Sequence, residues 1–316
     1  MKEIGGYFGL EQYNGTEYHD GLLAVNTGRN ALAYLIKARK IRKLYIPFYL
    51  CDSISNVCKR EGCEVAYYHI NDNFLPRVDI DLRDNEWLYI VNYYGMITNK
   101  QVQLMKCQWD RIIFDNVQAF FQKALPGVDT IYSCRKFFGV PDGAYVATDV
   151  EKIDLEKEVS GKRMKHILGR FEETASAYYA AFKENDHSFN DLPVRAMSDL
   201  THNLLRAVDY STVRKKRNEN YRILAEQLDR INGLQMLQMP VPDGPYAYPF
   251  YASNGMQIKK MLAQEKIYVA TLWPNVLTLE ETLEKDYAEN ILPLPCDQRY
   301  EEDDMCRIIT AIKHMC

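Results

Sequence analysis

The sequence predicts an α/β protein in which a mainly parallel sheet is flanked by helices and followed by a smaller C-terminal α/β unit. Three observations predict it. Two short apolar runs, Arg111-Ile112-Ile113-Phe114 and Asp129-Thr130-Ile131-Tyr132-Ser133, have the length and composition of strands buried on both faces. Similar runs at Leu44 to Ile46, Glu64 to Tyr68 and Trp87 to Gly95 are separated by helix-length segments, the pattern of right-handed βαβ units. After Gly233 short strand-like and helix-like segments alternate again. These boundaries divide the chain into a large unit, residues 1–210, and a small one, residues 211–316.

Taken in order, the first twenty residues are rich in Gly, Tyr and Asn, carry no period, and are expected to wrap over another part of the fold. Leu22 to Val25 leads into Asn26-Thr27-Gly28-Arg29-Asn30, and Leu32, Leu35 and Ile36 then recur at helical spacing. A turn that opens a helix in this way presents free N–H groups and a positive dipole end, which suit a phosphate. A helix is expected near Ser53 to Arg60, and another charged helical stretch over 151–184. Met197 to Ile231 has a long helical period interrupted near Asp209 to Thr212, where the chain would pass into the small unit. Beyond Gly233, strands are expected at Tyr246 to Tyr251, Ile267 to Leu272 and Ile291 to Cys296, with helices at Met256 to Gln264, Glu280 to Glu289 and Tyr300 to His314.

The two central runs each end in a chemically demanding residue. One delivers Asp115, and the other delivers Cys134-Arg135-Lys136. Parallel strands leave their carboxyl ends at a crevice where ligands bind. A carboxylate and an amine at one crevice are what pyridoxal phosphate chemistry requires: the amine carries the cofactor as a Schiff base, and the carboxylate pairs with the ring nitrogen. Taken singly, each residue has a plainer explanation, a solvated surface lysine or a capping aspartate. Their order on consecutive apolar runs favours the cofactor.

Asp115-Asn116-Val117-Gln118-Ala119 resembles the Asp-x-x-(Gln/His)-Ala signature of DegT/DnrJ/StrS-type sugar aminotransferases, and Lys136 followed by Gly139-Val140-Pro141-Asp142-Gly143-Ala144 resembles their lysine and its Gly-rich turn. The resemblance implies a fold-type I architecture, pyridoxal 5'-phosphate as cofactor, Asp115 on the ring nitrogen, Gln118 on the ring hydroxyl, and Lys136 as Schiff base and proton shuttle. It also places the phosphate at Gly28, Arg29 and Asn30 and stacks an aromatic ring from the segment after Pro47, where Tyr49 is the candidate and Cys51 the aligned position. Two departures stand out. Arg29 replaces a hydroxyl residue, and Ile131 replaces a serine, so Ser133 is the candidate to take over that phosphate contact. Lysine at 136, where the dehydratase branch of the family has histidine, implies transfer of an amino group from a donor such as glutamate to a keto sugar, which the resemblance implies is attached to a nucleotide. The rival readings are a silent member that binds nucleotide sugars as a scaffold, and another pyridoxal phosphate reaction on the same fold. The resemblance further implies a homodimer, with Arg195 a candidate contribution to the neighbouring site.

Composition excludes other classes. Lys+Arg of 39 against Asp+Glu of 43 gives a net charge of -4, and the one basic cluster, Arg214-Lys215-Lys216-Arg217, lies in a helical pattern, so nucleic-acid binding is not expected. No run approaches the ~18 apolar residues of a membrane span, and Met1 to Gly6 lacks the apolar core of a signal peptide, so a cytoplasmic protein is expected. Eight cysteines without a Cys-x-x-Cys pair are expected to be reduced thiols, not a disulfide framework or a metal site.

Overall fold

A computed structural model describes residues 4–238 and 242–315. The chain runs β1 (Leu23–Val25), α1 (Gly28–Ala38), β2 (Lys43–Pro47), α2 (Asp52–Arg60), β3 (Glu64–Ile70), β4 (Pro76–Arg77), β5 (Glu86–Val91), α3 (Asn99–Gln108), β6 (Ile112–Asp115), β7 (Asp129–Ser133) and β8 (Ala144–Ala147). These eight strands form one sheet in the order β1-β8-β7-β6-β5-β2-β3-β4. The inner five, β7-β6-β5-β2-β3, are parallel; β8 and β4 run against them, and the edge strand β1, antiparallel to β8, runs with them. Chain order reverses between β5 and β2, a topological switch point that opens a crevice outside the carboxyl ends of the strands.

The apolar runs become strands because both sheet faces are covered. Every residue of β6 and of β8 is buried, as are the first four of β7. Helix α1 supplies much of that cover: Ala31 to Ile36 are all buried, and the helix packs on α2, β7 and β8. Its start is fixed by Thr27, whose side chain accepts from the Asn30 amide.

After β8 come α4 (Lys165–Glu172), α5 (Tyr179–His187), α6 (Asp199–Arg206), α7 (Tyr210–Leu228), β9 (Tyr248–Tyr251), α8 (Gly255–Gln264), α9 (Leu283–Asn290), β10 (Ile291–Leu294) and α10 (Glu302–Met315). The charged stretch 151–184 thus holds two short helices. The long period from Met197 is broken at residues 207–209, where Asp209 caps α7 by accepting from the Thr212 amide. Strands β9 and β10 pair antiparallel and pack with Tyr221 and Leu224 of α7 and Met305, Ile308 and Ile312 of α10 in a second core. The expected strand at Ile267 to Leu272 is absent. Ile267 and Val269 are buried in that second core and Tyr268 is exposed, so the alternation is real, but the segment pairs with no strand among the described residues. No helix among the described residues is long and apolar enough to cross a membrane.

His19 links the N-terminal segment to the main sheet. Its ring lies 4.0 Å from that of Tyr132, and Nε2 donates to the Phe120 carbonyl at 2.7 Å. Burial pushes its pKa down to about 4, the Phe120 carbonyl only partly offsetting the effect. The unfolded chain binds this proton near the ordinary histidine value and the folded chain does not, so stability should fall as pH drops through the window from about 6.5 to about 4, by roughly 3 kcal/mol. Denaturant midpoints above and below that window should show the loss in the wild type and a smaller one in His19→Gln.

Candidate active site

Four strand ends converge at the crevice. The register sets Val91 of β5, Asp115 of β6 and Ile131 of β7 side by side, so the residues that follow each emerge together. Asp115, the last residue of β6, is buried. Its Oδ2 accepts from the Tyr89 hydroxyl at 2.7 Å and its Oδ1 from the Val117 amide at 2.8 Å. Burial lifts the carboxyl above the usual carboxylate range, while the Tyr89 hydroxyl, the Val117 amide and the charge of Lys136 pull it back. Lys136 is therefore within electrostatic reach of Asp115.

Gln118 is buried three residues further on, and its Oε1 accepts from the Tyr94 amide at 2.7 Å. Tyr94 follows β5 in a tight turn with φ of 56°, a left-handed conformation in which a bulky residue is strained. Three polar groups here are buried and, among the described residues, meet no hydrogen-bond partner: Gln118 Nε2, Asn116 Nδ2 and the Tyr94 hydroxyl. Buried donors normally find a partner, and leaving one unmet costs about 1–3 kcal/mol. Unmet donors beside a buried carboxylate fit a polar ligand that presents acceptors.

Lys136 ends a short helical turn, Cys134–Lys136, and is exposed, its Nζ 5.5 Å from the centre of the Tyr246 ring. The turn is held from behind. The Cys134 amide donates to the Gly143 carbonyl, and the Gly143 amide donates to the Asn26 carbonyl, which ties the lysine to the β1–α1 turn. Gly143 has φ of +113°, and a Cβ there would stand 2.9 Å from Thr201 Cγ2, so no other residue fits. Asp142 is buried and accepts from the Ser198 amide and from the Ser198 and Thr201 hydroxyls. In front, the Phe137 carbonyl accepts from Arg217 Nη2 and Gln298 Nε2. Arg217, itself buried in α7, also donates to the Pro245 carbonyl at 2.7 Å.

The β1–α1 turn completes the group. A Cβ on Gly28 would lie 3.9 Å from Val117, which sets the first amides of α1 beside the Asp115 loop. Arg29 reaches outward from that turn and pairs with Asp186 at 2.9 Å. Asn30 is buried and engaged with Asn26, the Pro193 carbonyl and Arg60. Ser133, at the end of β7, is half-buried, and its hydroxyl has no hydrogen bond among the described residues. Tyr49 lies after β2, fully buried against Trp273 at 4.4 Å and Tyr93 at 5.2 Å. Cys51, two residues on, is half-buried, with its thiol 2.8 Å from the Ser53 hydroxyl. Among the described residues Arg195 Nε meets no hydrogen-bond partner, and its side chain lies between Glu156 and Glu158.

Asp115, Gln118, Gly28 and Lys136 thus meet at one crevice, and Tyr89 and Tyr94 join them unannounced by the sequence. Tyr89 is one aromatic among several in a buried strand; it pairs with Ile113, and only the reach of its hydroxyl to Asp115, two residues further along β6, gives it a role. No cluster of three or more His, Cys, Asp or Glu side chains that could hold a metal ion occurs among the described residues.

No protein-family profile matches the sequence. No curated protein matches it in sequence either. Solved structures do match in fold. A DegT/DnrJ/EryC1/StrS aminotransferase from Brucella abortus shares 14% identity over 93% of this chain and 85% of that one, with a TM-score of 0.61. The sugar aminotransferase CalS13 from Micromonospora echinospora shares 15% over 93% and 87%, with a TM-score of 0.60. NtdA from Bacillus subtilis, solved with the cofactor PMP bound, shares 15% over 93% and 72%, with a TM-score of 0.66. The chain has the fold-type I aminotransferase architecture: a mainly parallel eight-stranded sheet between helices.

Proposed function

We propose that this protein is a pyridoxal 5'-phosphate-dependent aminotransferase that moves an amino group from an amino acid, with glutamate the first donor to test, to a keto sugar, with nucleotide-linked sugars the first acceptors. The observation that carries this reading is the meeting, at adjacent parallel strand ends, of an exposed lysine amine with a buried carboxylate and three unmet polar groups. The shared fold of sugar aminotransferases supports it. When bound, the cofactor supplies an electron sink that stabilises negative charge on the carbon bearing the amino group.

The chain's own residues divide the remaining work. Asp115, held by Tyr89 and Val117, presents a carboxylate whose charged form a neighbouring cation would stabilise, as a protonated ring nitrogen would. Gln118 Nε2 offers a donor to an oxygen acceptor on the ring. Lys136 Nζ, exposed at the mouth of the crevice, would hold the cofactor through its aldehyde and, once freed, would serve as the base and acid that moves a proton at the substrate carbon. The turn at Gly28, Arg29 and Asn30, with Ser133, faces the phosphate end, and Tyr49 and Cys51 are the candidates for the ring face. We assign cofactor binding to residues 1–210 and the smaller unit to residues 211–316.

We further propose a homodimer. Ile4, Tyr7 and Phe8 of the N-terminal segment and Val159 and Phe171 after β8 are almost fully exposed, and apolar surface of that extent on two segments suits a subunit interface. Sedimentation giving a monomer would count against this.

The discriminating experiment is to add pyridoxal 5'-phosphate to the purified protein and follow the absorption near the visible edge, then add glutamate. A band that forms and then disappears supports amino transfer. A band that forms but persists with every amino acid tried favours a silent binder, or another reaction of the same cofactor.

A further inference from the structure

A carboxylate of the chain itself sits between two guanidinium groups beside the lysine. Asp186 Oδ2 accepts from Arg29 Nη2 at 2.9 Å, and its Oδ1 accepts from Arg135 Nη1 and Nη2 at 3.3 and 3.4 Å. Its main-chain carbonyl accepts from Arg29 Nη1 at 2.9 Å. The two arginines come from the second residue of α1 and from the residue before Lys136, and their side chains are only 18% and 16% exposed. Burial alone would raise the Asp186 carboxyl, yet the two guanidinium charges and their hydrogen bonds bring it below the usual carboxylate range. It is an anion in a built anion seat.

The helix that supplies this anion is lightly attached. Of α5, only Asn185 is buried, donating to the Pro141 carbonyl and accepting from Arg163; Ala181 and Asp186 are half-buried, and Tyr179 and Phe182 face solvent. Just past the helix, Phe189 is held between the guanidinium groups of Arg135 and Arg163, at 4.7 and 4.4 Å from its ring centre. A nine-residue helix has little stability of its own, and an element with so few buried contacts opens at low cost.

We propose that Arg29 and Arg135 are the seat of a phosphate monoester, the cofactor's own, and that Asp186 is a built-in occupant which the phosphate must displace. The inference rests on the pyridoxal phosphate reading above. A planar guanidinium pair grips the oxygens of a phosphate as it grips a carboxylate, and the phosphate brings about one further negative charge. It also accounts for arginine at position 29, where the related pattern has a hydroxyl: a guanidinium can swing between two anions. Binding of phosphate therefore releases the end of α5 from the two arginines.

The test compares pyridoxal 5'-phosphate with pyridoxal, which carries the aldehyde and lacks the phosphate. Each is titrated against the wild type, Asp186→Asn and Arg135→Gln; borohydride reduction and peptide mapping then quantify label on Lys136. Removing the internal anion should tighten binding of the phosphate form on the order of tenfold and leave pyridoxal unchanged, and Arg135→Gln should weaken the phosphate form by a similar factor, again with pyridoxal unchanged. Amide exchange in residues 179–187 should rise with the phosphate form and not with pyridoxal. Equal affinities in the wild type and Asp186→Asn, or unaltered exchange in α5, would overturn the proposal while leaving Lys136 labelling intact. Absence of label with both compounds would instead remove the cofactor reading, and this inference with it.

Discussion

Lys136→Ala protein mixed with pyridoxal 5'-phosphate should develop no absorption band near the visible edge, and borohydride reduction should leave no cofactor on the chain. Lys123, the lysine that precedes Lys136 in the chain, has different work: it lies over the Tyr18 ring and donates to the Tyr18 carbonyl. Amino transfer should fall by at least the roughly 10²–10⁴-fold that a positioned acid–base group contributes. The fold should survive, because the Lys136 side chain is exposed and its turn is held by the backbone bonds of Cys134, Phe137 and Gly143. Equal melting temperatures for the two proteins, with the band missing from only one, would locate the loss in chemistry. Identical spectra would sink the assignment of Lys136.

Asp115→Asn should retain cofactor on Lys136 and lose most turnover, on the order of 10²–10³-fold, the scale seen when one electrostatic partner of a reacting centre is removed. Asparagine keeps the shape and can still accept from the Tyr89 hydroxyl or the Val117 amide, so the two donors at this position are not both abandoned. What it lacks is charge. Asp115→Ala should cost more in folding, since it strands both donors in a buried place, at about 1–3 kcal/mol each. The comparison therefore separates the carboxylate's electrostatic part from its structural one. An asparagine variant with wild-type turnover would mean that Asp115 only braces Tyr89.

The large unit was the legible part of the fold, because strands buried on both faces must be written as unbroken apolar runs, as in Ile112 to Phe114 and Thr130 to Tyr132. The C-terminal part was harder to read. Ile267 and Val269 alternate with exposed residues as a strand would, but alternation reports which side chains are buried and not whether a neighbouring backbone is there to pair. Similarly, the period from Met197 to Ile231 continues in register across the cap at Asp209, so amphipathic spacing alone located the break only to within a few residues. In the candidate site, Asp115 and Lys136 were visible because each closely follows an apolar run: Asp115 ends β6, and Lys136 lies three residues beyond the end of β7. Asp186 was not: it reaches Arg135 across 51 residues, and an acidic residue in a charged helical stretch looks like ordinary solvated surface until its partners are seen.

The two hydrogen bonds on the Phe137 carbonyl carry a mechanical consequence. They come from Arg217 and Gln298, both in the part of the chain beyond residue 210, and they grip the peptide that begins at the lysine's neighbour. Any tilt of α7 is thus levered directly onto the backbone bearing the amine. Substrate contacts made far out on the C-terminal unit can in this way retune the reach of one nitrogen atom, and replacement of Arg217 should decouple that linkage even where every group in the crevice is unchanged.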